Sequence, residues 1–145
     1  MVLIMNIEVS TSPNKDDLEV ISKGIQSFNQ LHMPYHVVFE SDIKFAAFAK
    51  DESGKVLGGI RATAFWNYCI LELLWLSSET RGQGLGSKLM DAAENFAKKK
   101  GFQYIRTETL SFQAKAFYEK RGYNVFGELP NYPKGHTTYC LVKEL

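Results

Sequence analysis

The sequence has 145 residues, the length of one domain, and 45% of them are hydrophobic, which is enough for one sizeable core. Its formal net charge of +1 gives no reason to expect a nucleic acid or an anionic membrane as a partner. Cys69 and Cys140 form no metal-binding or redox motif, so we interpret them as two reduced, mostly buried thiols of a cytoplasmic protein.

The first 36 residues are predicted to form a strand and a helix. Residues 2–9 are apolar but lack the basic region and cleavage site of a signal peptide, and we predict a strand there. Ser12 followed by Pro13 is typical of a helix start. Apolar side chains then recur at the spacing of an amphipathic helix, namely Leu18, Ile21, Ile25 and Phe28. Pro34 should end this helix.

The middle of the chain is predicted to be an antiparallel meander of three strands. Residues 43–50, 55–66 and 68–76 have strand patterns, and only short turns separate them. The third segment, YCILELLWL, is almost continuously apolar, which favours a central strand covered on both faces.

The second half alternates helices and strands. Residues 84–100 have helical periodicity. Gly101 follows them directly, and because glycine is typical of the position after a helix, we predict that the helix ends there. A strand at 103–109, a short helix at 112–121 and two closing strands at 123–129 and 136–142 follow. This order predicts a single α/β (or α+β) domain over residues 1–145, a mixed sheet with helices on both faces.

A glycine-rich stretch, RGQGLGSK at residues 81–88, lies where the third strand of the meander leads into a helix. The first N–H groups of a helix lack intrahelical partners, and glycines let an anion approach them closely. The stretch therefore predicts a pyrophosphate site, although a flexible surface turn would have the same composition. A nucleotide P-loop is excluded by the spacing, and the dinucleotide fingerprint fails at Ser87.

Two motifs together resemble the GNAT acetyltransferase superfamily. RGQGLG matches the pattern [Q/R]-x-x-G-x-[G/A] of that family's acyl-coenzyme A loop, within the longer similar segment LWLSSETRGQGLGSKLM. AKAFYEKRGY, residues 114–123, resembles the family's next signature, a helix with alanine and tyrosine that ends in Gly-aromatic. The resemblance implies a GNAT-like fold with a mixed sheet of about six to seven strands.

The resemblance also implies how acetyl-CoA, the acyl donor, would bind, with no metal involved. The pyrophosphate would lie on the loop amides, and the pantetheine arm would run beside a strand end that a bulge splays from its neighbour. A free N–H near Leu76 would polarise the thioester carbonyl. The implied donor-binding residues are Leu74, Trp75, Leu76, Arg81, Gly82, Gln83, Gly84, Leu85, Gly86, Ser87, Ala114 and Phe117.

By the same resemblance, the protein would transfer an acetyl group to a primary amine by direct attack in a ternary complex. Tyr118 matches the tyrosine that protonates the departing thiolate, although a tyrosine packed at the core edge would fit the same pattern. Glu72 is the first candidate for the base, with a salt bridge to Arg61 or Arg106 as the alternative explanation. Glu108, His136 or a water molecule are further candidates for the base.

The acceptor is expected to be a small-molecule or peptide amine, bound by a monomer or homodimer. The stretch LHMPYH, residues 31–36, and the closing hairpin should line its pocket, and the aromatic groups available are His32, Tyr35, His36, Trp66 and Tyr132. They do not identify the acceptor. Two other functions stay open at this point: a module that binds coenzyme A without transfer, and an oxidoreductase with a nucleotide cofactor.

Overall fold

The computed structural model describes residues 1–38 and 42–145. These residues belong to two compact units, one made of residues 1–38 and the other of residues 42–145.

The first unit contains two helices, α1 (Lys15–Gln30) and α2 (Tyr35–Val38), and no strand among its described residues. The predicted strand at 2–9 is therefore wrong. An alternating apolar segment becomes a strand only when a neighbour takes its backbone hydrogen bonds, and no described residue pairs with this one. The cap of α1 is Asn14, whose Oδ1 accepts a hydrogen bond of 2.8 Å from the Asp16 N–H. Ser12 was thus predicted two residues too early.

The second unit is built on one six-stranded mixed sheet. Its strands are β1 (Ile43–Lys50), β2 (Val56–Phe65), β3 (Tyr68–Leu76), β4 (Tyr104–Leu110), β5 (Asn124–Pro130) and β6 (Thr137–Glu144). Their spatial order is β1-β2-β3-β4-β6-β5. Among the described strands only β3 and β4 are parallel neighbours, because the helix at Leu85–Lys99 connects them, and the other neighbours are antiparallel. This arrangement confirms the predicted α/β class and the predicted meander.

Two helices of the second unit, α3 (Leu85–Lys99) and α4 (Lys115–Lys120), share one core with the sheet. The apolar face of α3 packs there through Leu89, Met90, Ala93 and Ala97, as its spacing predicts. The C-terminal end of α4 is tied to α3 by Arg121, which donates to Asp91 at 2.7 Å and to Glu94 at 3.2 Å. This ion pair helps to hold α4, and with it Tyr118, in place over the sheet.

A β-bulge at Glu72 interrupts the regular pairing of β3. Leu71 pairs with Ala62 and Leu73 pairs with Arg61, so Glu72 is the extra residue on β3. The bulge also changes which face each side chain takes: Glu72 and Leu73 are both exposed, one after the other. Regular alternation along the strand would have placed Glu72 and Leu73 on opposite faces.

Candidate active site

The pairing of β3 with β4 ends at Leu71 and Thr107, and beyond these residues the two strands separate into a cleft. The cleft has a volume of about 500 Å³ and lies wholly within the second unit. The sequence-predicted residues that line it are Glu72, Leu74, Trp75, Leu76, Arg81, Gly86, Glu108, Ala114, Phe117 and Tyr118. The strands therefore bring the two predicted motifs together at one opening.

The β3 edge of the cleft presents main-chain groups. The Ser77 N–H donates to the Leu57 oxygen on β2 at 2.8 Å, so N–H groups at odd-numbered positions of this strand end point toward β2. The N–H groups of Leu74 and Leu76 alternate with these and point into the cleft. On that side, none of the described strands pairs with β3 beyond Leu71. The Leu76 oxygen lies on the same side and accepts from Arg81 Nε at 3.4 Å. The Leu76 N–H is therefore unpaired with a strand at this edge, and the oxyanion role that the resemblance implies for it stays a prediction.

The glycine-rich loop leads directly into α3. Gly84 caps the helix in the left-handed conformation, with φ of 77°, and Gly82 has φ of 74°, values that favour glycine over other residues. Among the residues that the structure describes, no side chain caps the helix start, and the first turn of the helix contains no acidic residue. The amides of Leu85, Gly86 and Ser87 are accordingly available to an anion.

Phe117 joins the helix start to the wall of the cleft. A Cβ added at Gly86 would lie 3.5 Å from both the Phe117 ring and the Leu76 side chain, an ordinary van der Waals distance, so the start of α3 packs against both. The Phe117 ring in turn meets the Tyr118 ring edge-on, with centroids 5.3 Å apart. Phe117 therefore connects the start of α3 to Tyr118 on α4.

Tyr118 lies on α4 beside the point where β3 and β4 separate. It is 4% exposed, and burial raises the pKa of its hydroxyl, while a hydrogen bond with the Thr107 side chain opposes the shift. Thr107 is itself buried and donates to the Leu71 oxygen at 3.1 Å. Tyr118 is thus a protonated hydroxyl at neutral pH, held next to the last paired residues of the two strands.

Glu72 lies on the β3 side of the cleft, but its carboxylate is already occupied. Arg61 Nε donates to Oε2 at 2.6 Å, and the Thr63 hydroxyl donates to Oε1. The hydrogen bonds from Thr63 and then Arg61 lower the pKa of Glu72. The ion pair with Arg61 is the one that the sequence allowed as the alternative explanation.

Glu108 lies on the β4 side of the same cleft and is exposed. Its carboxylate makes no hydrogen bond or ion pair with any residue that the structure describes. It was only the second candidate for the base, because the sequence does not show which of the two carboxylates has a partner.

The other predicted side chains of the second unit lie outside the cleft. Trp66 stacks on Phe65 at the β2–β3 turn, and Tyr132 is exposed in the turn between β5 and β6. His136 contacts the ring of Phe112, a cleft residue, edge-on at 4.8 Å. Its Nδ1 is 3.5 Å from the Ser111 hydroxyl, so His136 neighbours the cleft through other residues.

The cleft also contains six residues that were not predicted from the sequence, namely Leu71, Leu73, Thr107, Thr109, Phe112 and Gln113. Thr107 and Thr109 could have been found as alternate polar positions on one face of an otherwise apolar strand. Thr109 accepts from the Ala114 N–H at 3.2 Å, and the Gln113 side chain accepts from the Leu110 N–H at 2.8 Å. These two bonds fix the start of α4.

Comparison with known proteins identifies the fold and the family. Residues 15–123 match the model of the Acetyltransferase (GNAT) family. The chain belongs to the GNAT acetyltransferase family. The predicted acetyltransferase activity and the predicted fold are thereby confirmed, and the oxidoreductase alternative is set aside.

Individual relatives of this acetyltransferase agree with the family assignment. A blasticidin-S acetyltransferase from Streptomyces morookaense is 39% identical over 102 residues, which are 70% of this chain and 75% of the relative. The crystal structure of an acetyltransferase from Bacillus cereus has a TM-score of 0.83 at 29% sequence identity. The alignment covers 95% of this chain and 98% of the Bacillus cereus chain. A protein from Bacillus anthracis, provisionally named a streptothricin acetyltransferase and solved with acetyl coenzyme A, shares the fold. Its TM-score is 0.64 at 22% sequence identity, and the alignment covers 79% of this chain and 70% of the Bacillus anthracis chain.

Three further properties bear on the remaining expectations. Both cysteines are free thiols, Cys69 buried and Cys140 half-buried. Within the described ranges, none of the helices is long and apolar enough to span a membrane. The same residues include no group of three or more His, Cys, Asp or Glu side chains that could hold a metal ion.

Proposed function

We propose that this acetyltransferase binds acetyl-CoA in the cleft between β3 and β4 and transfers the acetyl group directly to a primary amine held in the same cleft. The main support is the separation of β3 from β4 beyond Leu71, which opens beside the start of α3 and beside buried Tyr118. A protein of the same fold has been solved with acetyl coenzyme A.

The residues present fit the proposed donor. An anion such as a pyrophosphate is stabilised by free amides at a helix start, and α3 provides them without a competing acidic residue. Arg81 lines the cleft, four residues before the first residue of this helix, and adds a positive charge. An extended amide-containing arm can bind along the unpaired edge of β3 through the main-chain groups of Leu74 and Leu76. Leu76 N–H would then polarise the thioester carbonyl.

Tyr118 is the proposed acid of the reaction. The thiolate that leaves during transfer needs a proton, and a protonated phenol beside it supplies one. Because burial raises the pKa of Tyr118, the hydroxyl keeps its proton throughout the neutral range.

The acceptor is proposed to be a small cationic amine. Two carboxylates, Glu72 and Glu108, face the cleft from opposite strands, and an exposed aromatic side chain, Phe112, lies beside them. The relatives named for blasticidin S and streptothricin make these two compounds the first acceptors to test.

Two measurements test the proposal. Calorimetric titration with acetyl-CoA should show binding at micromolar concentration, and a titration with NADH should show none. A panel of primary amines, including blasticidin S, streptothricin, spermidine and a lysine peptide, is then followed by release of free thiol. Absence of acetyl-CoA binding would overturn the proposal, whereas binding without thiol release for any amine would support the alternative of a non-catalytic module.

A further inference from the structure

We propose that Glu108, rather than Glu72, contacts the amino group of the acceptor and takes its proton. This assignment rests on the proposed function, because it concerns the acceptor side of the same cleft. It departs from the expectation drawn from the sequence, which placed Glu72 first.

The two carboxylates differ in what already binds them. Both oxygens of Glu72 accept hydrogen bonds, one from Thr63 and one from Arg61 at 2.6 Å. A proton taken up by Glu72 would neutralise the counterion of the Arg61 guanidinium and weaken both of these hydrogen bonds. Glu72 is therefore a fixed negative charge at the edge of the cleft.

Glu108 has free oxygens and faces the same space. It comes one residue after Thr107, the last β4 residue that pairs with β3, so it stands at the point where the strands separate. The titratable and charged groups around it are Glu72 across the cleft on β3, Cys140 opposite on β6, and Arg106 two residues earlier on β4. None of these forms an ion pair with the Glu108 carboxylate in the described structure.

The proton balance of the transfer assigns a task to each group. The acceptor ammonium loses a first proton to the Glu108 carboxylate, which passes it to solvent. The amine lone pair forms the C–N bond, the C–S bond breaks, and the departing thiolate takes the proton of Tyr118. The second proton leaves the nitrogen once the C–N bond exists and restores the Tyr118 hydroxyl through water. One proton is released to solvent overall, and no other reagent is needed.

Matched Glu→Gln substitutions at three positions test the assignment with the acceptor that the amine panel identifies. At pH 7, Glu108→Gln should lower kcat/KM for the acceptor roughly 100-fold, the usual contribution of a general base. The difference in kcat/KM between the variant and the wild type should shrink about tenfold per pH unit toward pH 9. At higher pH more of the amine has already lost its proton to solvent, so a protein base is needed less. Glu72→Gln should keep the pH profile of the wild type, and Glu128→Gln, an exposed residue of β5 outside the cleft, should keep its rate.

Binding measurements separate this assignment from the proposed function. All variants should bind acetyl-CoA like the wild type, and Glu108→Gln should bind the acceptor several-fold more weakly when coenzyme A is present in excess. A wild-type protein that acetylates no amine overturns the proposed function. An active wild type whose Glu108→Gln variant has the same rate, or a loss that is the same at every pH, overturns only the role of Glu108.

Discussion

The two ends of the cleft use different parts of the chain. The end that we propose for the donor consists of main-chain groups, the amides at the start of α3 and those of Leu74 and Leu76. The end that we propose for the acceptor consists of side chains, chiefly Glu72, Glu108 and Phe112. A main-chain site depends on backbone conformation and tolerates many side chains, whereas a side-chain site changes with every substitution. One backbone could thus keep its donor while the acceptor changes between relatives.

The largest expected effect belongs to Tyr118, which lies between the two ends. Tyr118→Phe removes the proposed acid and leaves the ring contacts with Phe117 and Tyr123 in place. We expect kcat to fall roughly 100-fold, since proton donation contributes that much in such reactions. The affinity for acetyl-CoA measured by calorimetry should stay the same. A kcat within twofold of the wild type would show that the thiolate obtains its proton elsewhere.

The next effect concerns the backbone of the donor end. Gly84→Val places a β-branched residue in the left-handed conformation, at a cost of about 1–2 kcal/mol. If the loop escapes this strain by changing shape, acetyl-CoA should bind roughly 10-fold more weakly. Gly54→Val is the control, because Gly54 has φ of 87° in a turn outside the cleft. Equal losses of affinity in both variants would mean that general destabilisation explains the result.

Charge at the donor end should matter less than its backbone. Arg81→Met removes the cation that borders the cleft, and we expect acetyl-CoA to bind roughly 5-fold more weakly, with a smaller dependence of the affinity on salt. Lys88→Met removes a charge that does not line the cleft and should change the affinity less. A larger effect at Lys88 would move the pyrophosphate further along α3.

The smallest effect is expected from the ion pair at the acceptor end. The pKa of Glu72 is lowered in the folded protein, so its contribution to stability is complete above its unfolded pKa and is lost as the pH falls through the folded value. Arg61→Met removes one cause of this lowering, and the Glu72 carboxyl should then titrate at a higher pH. Carbon-detected NMR of the side-chain carboxyls measures this directly. An unchanged titration would attribute the lowered pKa to the Thr63 hydrogen bond and the positive charge of Lys44.

The predictability of the molecule follows the same division between main chain and side chains. The strands and helices from residue 43 onward were predictable, because their apolar periodicity and short turns agree with the contacts they make. The strand at 2–9 was not, since alternation alone cannot provide a partner for its backbone groups. The position of the loop at residues 81–88 directly before a helix was predictable from its glycines and the apolar spacing that follows. That this loop binds an anion stays a prediction.

The partners of Glu72 could not be predicted in the same way. One extra residue in β3 changes the side on which Glu72 and Leu73 lie, and the sequence contains no turn residue or glycine that indicates the bulge. The sequence offered two arginines as partners, and only the register of β2 against β3 selects Arg61. The free carboxylate of Glu108 depends instead on where the pairing of β4 with β3 ends and on its β6 neighbour Cys140, and it could be recognised only in three dimensions.

The alternation along the end of β3 has a consequence for hydrogen exchange. In the free protein the amide of Trp75 points toward β2 and should exchange slowly with deuterium, while those of Leu74 and Leu76 point into the cleft and should exchange fast. A ligand that extends along this edge would slow the two fast amides and leave Trp75 as it was. The strand end thus contains its own internal reference, with which occupancy of the cleft can be followed before any acceptor is known.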